Sequence, residues 1–412
     1  MQNKHFITLM FFSSLILLGS CNTYQAKSYL YPDPVDTNDK EIDIQFKKLY
    51  SMDGVYADNR FDGARLNDFL QVDENTFRAQ ILPENHPINK SPWFSFKLWS
   101  DKKRKIYLIL DYTHSAHRYI PKISRDKMHW KAIDTNSIRF IDSLDVGFPL
   151  ELGPEPIYLS AQELITSENV YQWCDSLTLS QNVQSGVYGK SVMQRDLPYM
   201  DIYENEKSDK ALIVILSRQH PPEISGWLAM RHFVEAILDT NLLSEAYRNK
   251  FRTLVFPLVN PDGVDMGHWR HNANGIDLNR DWGFYVQPEI RQTVDFIVRE
   301  QKMNDNEVIL GIDFHSTQED IFYTYADTML SEIPKFKDYW IYGIDQAMPD
   351  YEPVDEPSGL SQPYSKVWFY TQFEAEGITY EIGDETPRDF IKRKARISAE
   401  EMMKLLMYYE DD

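Results

Sequence analysis

The sequence predicts an α/β domain preceded by a small antiparallel β-sandwich, and three observations point that way. Over residues 41–152, apolar and polar side chains alternate at close to period two, the texture of strands with one buried face. Over residues 153–412, wholly apolar runs alternate with stretches of helical periodicity, as in a sheet covered by helices. Pro154 and Pro156 stand where the texture changes and mark the boundary.

The first elements belong to targeting. Lys4 gives a short positive region, and Phe6–Leu18 is apolar and uncharged but too short to span a bilayer comfortably. It ends in Leu18-Gly19-Ser20-Cys21, which resembles a bacterial lipobox. Residues 1–20 then form a lipoprotein signal peptide, Cys21 is lipidated, and the lipid is the only membrane attachment. An ordinary secretory signal is the alternative, and both export the chain. Asn22 favours the periplasmic side of the outer membrane at the bacterial cell envelope. Residues 21–40, polar and carrying Pro32 and Pro34, read as a linker.

In the sandwich region, Trp93–Trp99 and Lys105–Tyr112 are strand-like and flank a charged turn, Asp101–Arg104, which predicts a β-hairpin. Beyond the boundary, Ala211–Leu216, Thr253–Val259, Val308–Phe314 and Gly377–Ile382 read as buried strands. Trp227, Met230, Val234 and Ile237 recur at helical spacing.

Composition narrows the function. A net charge of −20 repels polyanions, so no nucleic-acid partner is expected. Two cysteines, Cys21 and Cys174, cannot supply a disulfide framework or a thiolate metal site. Any metal must be held by His and carboxylates. His220 and Glu223, three residues apart with Pro221 and Pro222 between them, follow one predicted strand. His315 ends another. Alone, each has an ordinary structural reading. Together, at the carboxyl edge of one sheet, they supply two nitrogens and a carboxylate, the protein share of a catalytic zinc site.

The longest signal is Asn260-Pro261-Asp262-Gly263, then Arg270, then Gly275-Ile276-Asp277-Leu278-Asn279-Arg280, with Thr379-Tyr380-Glu381 near the C-terminus. With His220-x-x-Glu223 and His315, these motifs occur in the order seen in the zinc carboxypeptidases of the carboxypeptidase A-like group, which the sequence resembles. Ser91–Phe96, His117–Lys122 and Trp130 resemble the β-sandwich that precedes the peptidase domain in the cytosolic carboxypeptidases. The resemblance implies a carboxypeptidase-like α/β/α domain with a mixed sheet over 153–412, one zinc ion per chain, and a peptide substrate with a free C-terminal carboxylate.

It also implies roles. His220, Glu223 and His315 ligate zinc, Asp277 orients His220, and Glu381 is the general base. Arg270 stabilises the oxyanion, and Asn279 and Arg280 grip the terminal carboxylate. Lys366 lines the pocket for the terminal side chain, which favours acidic residues, and Tyr364 is the candidate to close over substrate. His114, His117, His129, His232, His268 and His271 fall outside this scheme as structural or surface residues. Two readings remain beside it: a peptidoglycan stem-peptide amidase or carboxypeptidase, with the same ligands and base, and a non-catalytic peptide-binding lipoprotein.

Overall fold

The computed structural model describes residues 26–32, 42–85 and 93–409. The expected signal segment, Cys21 and most of the 21–40 linker lie outside the described residues.

The N-terminal sandwich has a six-stranded sheet in the order Leu49–Met52, Val55–Asp58, Ser95–Ser100, Ile157–Ser160, Lys122–Ser124, Lys131–Ala132. Its five-stranded sheet runs Asp68–Gln71, Thr76–Ile81, Arg104–Tyr112, Val146–Leu152, Arg139–Phe140. Alternation places Phe77, Ala79 and Ile81 in the core, facing Phe96 and Leu98 of the other sheet. Three expectations need correcting. Ser95–Ser100 and Arg104–Tyr112 do not form a hairpin, because the turn between them carries the chain from one sheet to the other. Each strand has one apolar face, and these faces meet across the core rather than lying side by side. The sandwich is also not wholly antiparallel, since Thr76–Ile81 pairs parallel with Arg104–Tyr112. Its strand Ile157–Ser160 lies beyond residue 152, where the sequence places the boundary.

The second unit is built on an eight-stranded mixed sheet. Four parallel strands form its middle, in the order Phe251–Phe256, Ala211–Ser217, Glu307–Thr317, Glu376–Gly383. Alternate residues of Ala211–Ser217 enter two separate cores. Ile213 and Ile215 meet the helices Ile224–Ile237 and Arg388–Tyr409, while Leu212, Val214 and Leu216 face the side of Pro288–Met303 and Ser365–Phe373. Burial on both faces explains why these strands are apolar throughout.

The sandwich shares its core with this unit, since Ile224 and Trp269 are buried among sandwich residues. Residues 26–32 do not hang free as a linker would. Tyr31 is buried and donates from its hydroxyl to the Trp282 carbonyl at 3.1 Å, and the Tyr285 hydroxyl donates to the Lys27 carbonyl at 3.2 Å. Among the described residues, no helix is long and apolar enough to cross a membrane.

Candidate active site

Loops and strand ends converge at the carboxyl edge of the parallel strands, where open α/β sheets gather function. His220 follows the strand Ala211–Ser217 by three residues. The turn is made by Arg218 in the left-handed region (φ 56°), and Asn260 braces it by donating from Nδ2 to the Gln219 carbonyl at 3.0 Å. Asn260 Oδ1 also accepts from the Gly263 amide at 2.9 Å, so the Asn-Pro-Asp-Gly segment serves as a brace. Glu223 is the residue preceding the helix Ile224–Ile237. That helix lies directly on the strand carrying His315. A Cβ at Gly226 would stand 2.4 Å from the His315 carbonyl oxygen, so only glycine permits the approach.

The Nδ1 atoms of both histidines therefore face one carboxylate, His220 at 2.8 Å from Glu223 Oε1 and His315 at 2.7 Å from Oε2. The ligand atoms of the three residues lie within 4.8 Å of one another, and all three side chains are buried. Each outer nitrogen has its own carboxylate: His220 Nε2 is 3.0 Å from Asp277, and His315 Nε2 is 2.8 Å from Asp313. Those partners fix the ring orientations and turn both Nδ1 atoms inward. Burial opposes ionisation of Glu223, but His220 and His315 outweigh it and hold its carboxyl well below the usual range. Two imidazoles and a carboxylate are donors that suit zinc, whose binding needs both Nδ1 atoms unprotonated.

Glu381 sits opposite His315 in the parallel register, so both side chains leave the same face of the sheet. Its Oε2 is buried without a hydrogen-bond partner among the described residues. Burial, together with the Glu223 and Asp313 carboxylates, pushes its pKa up to about 8, against the opposing pull of His315 and Arg270. A cation held by the three ligands would draw it down again.

Arg270 donates from Nε to Asp277 at 2.7 Å and lines the cleft. Arg280 stacks over the Tyr364 ring at 4.4 Å, and its buried Nε has no partner among the described residues. The Asn279 side chain accepts from the Ser365 amide at 2.9 Å, and its Nδ2 lies 3.3 Å from His315 Nε2. That nitrogen's proton goes to Asp313, which leaves the Asn279 amide hydrogens for the cleft. Lys366 is almost wholly buried in the wall, donating to the Thr324 carbonyl at 2.8 Å and the Ser358 hydroxyl at 2.7 Å. One cleft of about 560 Å³ thus brings together His220, Glu223, Arg270, Asn279, Arg280, His315, Tyr364, Lys366 and Glu381, with Asp277 behind them.

Three contributors were missed at the sequence level. Asp313 stands two residues before His315 on the same strand, so period two puts both on one face, a readable sign. It also accepts from Gln219 and Ser365. Arg118 and Tyr119 reach the cleft from the sandwich, and Arg118 donates to Asp384 at 2.5 Å. Nothing in local spacing joins residues so distant in sequence. Among the histidines outside the scheme, His271 contacts the buried Glu84 of the sandwich, and burial lowers the His117 ring to about 4.

A family description, zinc carboxypeptidase, matches residues 170–399. An uncharacterized protein of Zymomonas mobilis is 23% identical over 319 residues, covering 69% of this chain and 79% of its own length. Human cytosolic carboxypeptidase 2 is 23% identical over 302 residues, which is 64% of this chain but only 33% of that protein. The crystal structure of a metallo-carboxypeptidase from Burkholderia cenocepacia superposes with a TM-score of 0.71 at 17% identity, covering 87% of this chain and 99% of the other. That likeness extends through the sandwich and establishes the fold. The family match takes in more than half of the chain and contains every one of those motifs in order, and the chain belongs to the zinc carboxypeptidase family.

Proposed function

We propose that this protein removes single amino acids from the C-terminus of peptides, with a preference for acidic terminal residues. The observation that carries the reading is the meeting, in one cleft, of a three-residue candidate metal-ligand set, a Glu381 oxygen with no hydrogen-bond partner among the described residues, and the Arg270 and Arg280 guanidinium groups.

His220, Glu223 and His315 would hold the zinc. When bound, zinc supplies Lewis acidity toward a carbonyl oxygen and lowers the pKa of water. Glu381 accepts a proton from the attacking water on its free carboxylate oxygen and returns it to the departing amine. Arg270, tied to Asp277, meets negative charge as it develops on the carbonyl oxygen. Arg280, with the Asn279 amide beside it, takes the terminal carboxylate, which restricts cleavage to chain ends. Tyr364, stacked against Arg280, borders that pocket. The Lys366 ammonium has three donors and spends two on Thr324 and Ser358, leaving one for an acidic side chain.

The test is release of free amino acids from a mixed peptide library, with and without chelator, beside Glu381→Gln. The expected result is loss of single C-terminal residues, glutamate fastest, abolished by chelator and reduced about 100- to 10,000-fold by the substitution. Faster release of terminal Leu than Glu would remove the acidic preference. Release only from muropeptides would favour the peptidoglycan reading, and metal-dependent binding without product would favour the binding-protein reading. The Cys21 segment supports lipid attachment at the envelope. Cys21→Ser is expected to move the chain from the membrane fraction to the soluble fraction, and retention in the membrane fraction would count against it.

A further inference from the structure

Glu84 belongs to the sandwich and has no exposed surface. Its carboxylate receives three consecutive backbone amides of the peptidase unit: Trp269 on Oε2 at 3.0 Å, and Arg270 and His271 on Oε1 at 2.9 and 2.8 Å. His271 Nδ1 lies 3.1 Å from the same oxygen and, facing a carboxylate, carries the proton. The neighbouring Asn85 donates to the Gly275 carbonyl at 2.9 Å. Successive amides converging on one point form an anion-binding concavity, filled here by a side chain from the other unit. Burial opposes ionisation of Glu84, but the hydrogen bond from His271, with His268 and Arg65 nearby, holds its carboxyl well below the usual range.

The clamped residues flank a functional group. Arg270 has its own amide and both neighbouring amides fixed, so its Cα–Cβ direction is set, and the guanidinium leaves toward Asp277 and the cleft. An apolar contact would join the two units equally well, but it would not specify the orientation of three peptide planes.

We infer that Glu84 is a positioning residue for the reaction: through the 269–271 amides the sandwich aims the Arg270 guanidinium at the carbonyl oxygen of the scissile bond. This rests on the reading of Arg270 as the group that meets the developing oxyanion. The sandwich is then a working part of the active site.

The experiment is a double-mutant cycle on the full chain, comparing the native protein, Glu84→Gln, Arg270→Ala and the double variant, each confirmed to retain one zinc. Glu84→Gln alone is expected to lower kcat about 10- to 100-fold, the scale of a small misplacement, with KM within about threefold. In the Arg270→Ala background the same change is expected to cost less than about threefold, because its target is gone. Equal losses in both backgrounds, a change confined to KM, or no change would overturn the inference. If Glu84→Gln does not fold, Glu84→Asp takes its place in the cycle, judged by the same outcomes. If Arg270→Ala alone leaves kcat intact, the reading of Arg270 fails first, and that single variant reveals it.

Discussion

The proposed preference for acidic terminal residues rests on the Lys366 ammonium, whose charge depends on pH. Burial lowers its pKa to about 8, against the pull of Asp355 and Glu376, so the ammonium is present below that pH and lost above it. Between roughly pH 7 and 9, kcat/KM for a Glu-terminated peptide should therefore fall relative to a Leu-terminated one. Lys366→Ala should abolish both the preference and its pH dependence, and a ratio that stays flat with pH would count against a cation in the pocket. At this scale the sequence was informative wherever chemistry was concentrated in short motifs. His220 and Glu223 stand three apart, and Asp277, Asn279 and Arg280 lie in one run. Asp313 was legible in principle from its i, i+2 spacing to His315. Glu84 and Arg118 were not, because their partners lie nearly two hundred residues or more away and a long-range hydrogen bond leaves no local pattern.

Between elements, the candidate metal-ligand set depends on one close packing. The helix Ile224–Ile237 holds Glu223 at its start and lies on the strand that holds His315, with Gly226 at the point of contact. Gly226→Ala would gain helix propensity but press a methyl group onto the His315 carbonyl. The expected net cost is about 1–3 kcal/mol of stability with weaker zinc retention, measured by thermal unfolding and metal competition. Unchanged zinc affinity would show that the ligand geometry tolerates a shifted helix. The buried strands were legible because burial on both faces makes them continuously apolar, and the sequence placed four of them within a few residues. The false hairpin shows the limit: period two identifies a strand and its buried face but not the neighbour it pairs with.

Across the whole molecule, the two units are joined by a shared core and by largely buried polar contacts. Arg118 donates to Asp384, Lys122 approaches Glu385 at 3.1 Å, and the Gln162 amide reaches the Asp384 carbonyl at 3.1 Å. All three acceptors lie just past the strand that carries Glu381. Removing residues 42–152 would uncover Ile224 and Trp269 and take Arg118 and Lys122 away from Asp384 and Glu385. The 153–412 fragment is expected to show no cooperative thermal transition. A transition within about 5 °C of the parent would mean the second unit is stable alone. The clamp around Glu84 also bears on the order in which the chain is made. Synthesis is vectorial, and N-terminal units fold first. Glu84 and most of the sandwich strands leave the ribosome before the peptide groups that will surround the carboxylate, so the Arg270 loop emerges toward a partner already made. A circular permutation that moves the sandwich behind residue 412 would reverse this sequence. The Arg270 loop would then emerge with three amides and nothing yet to receive them, and slow, aggregation-prone folding during translation is the behaviour to look for.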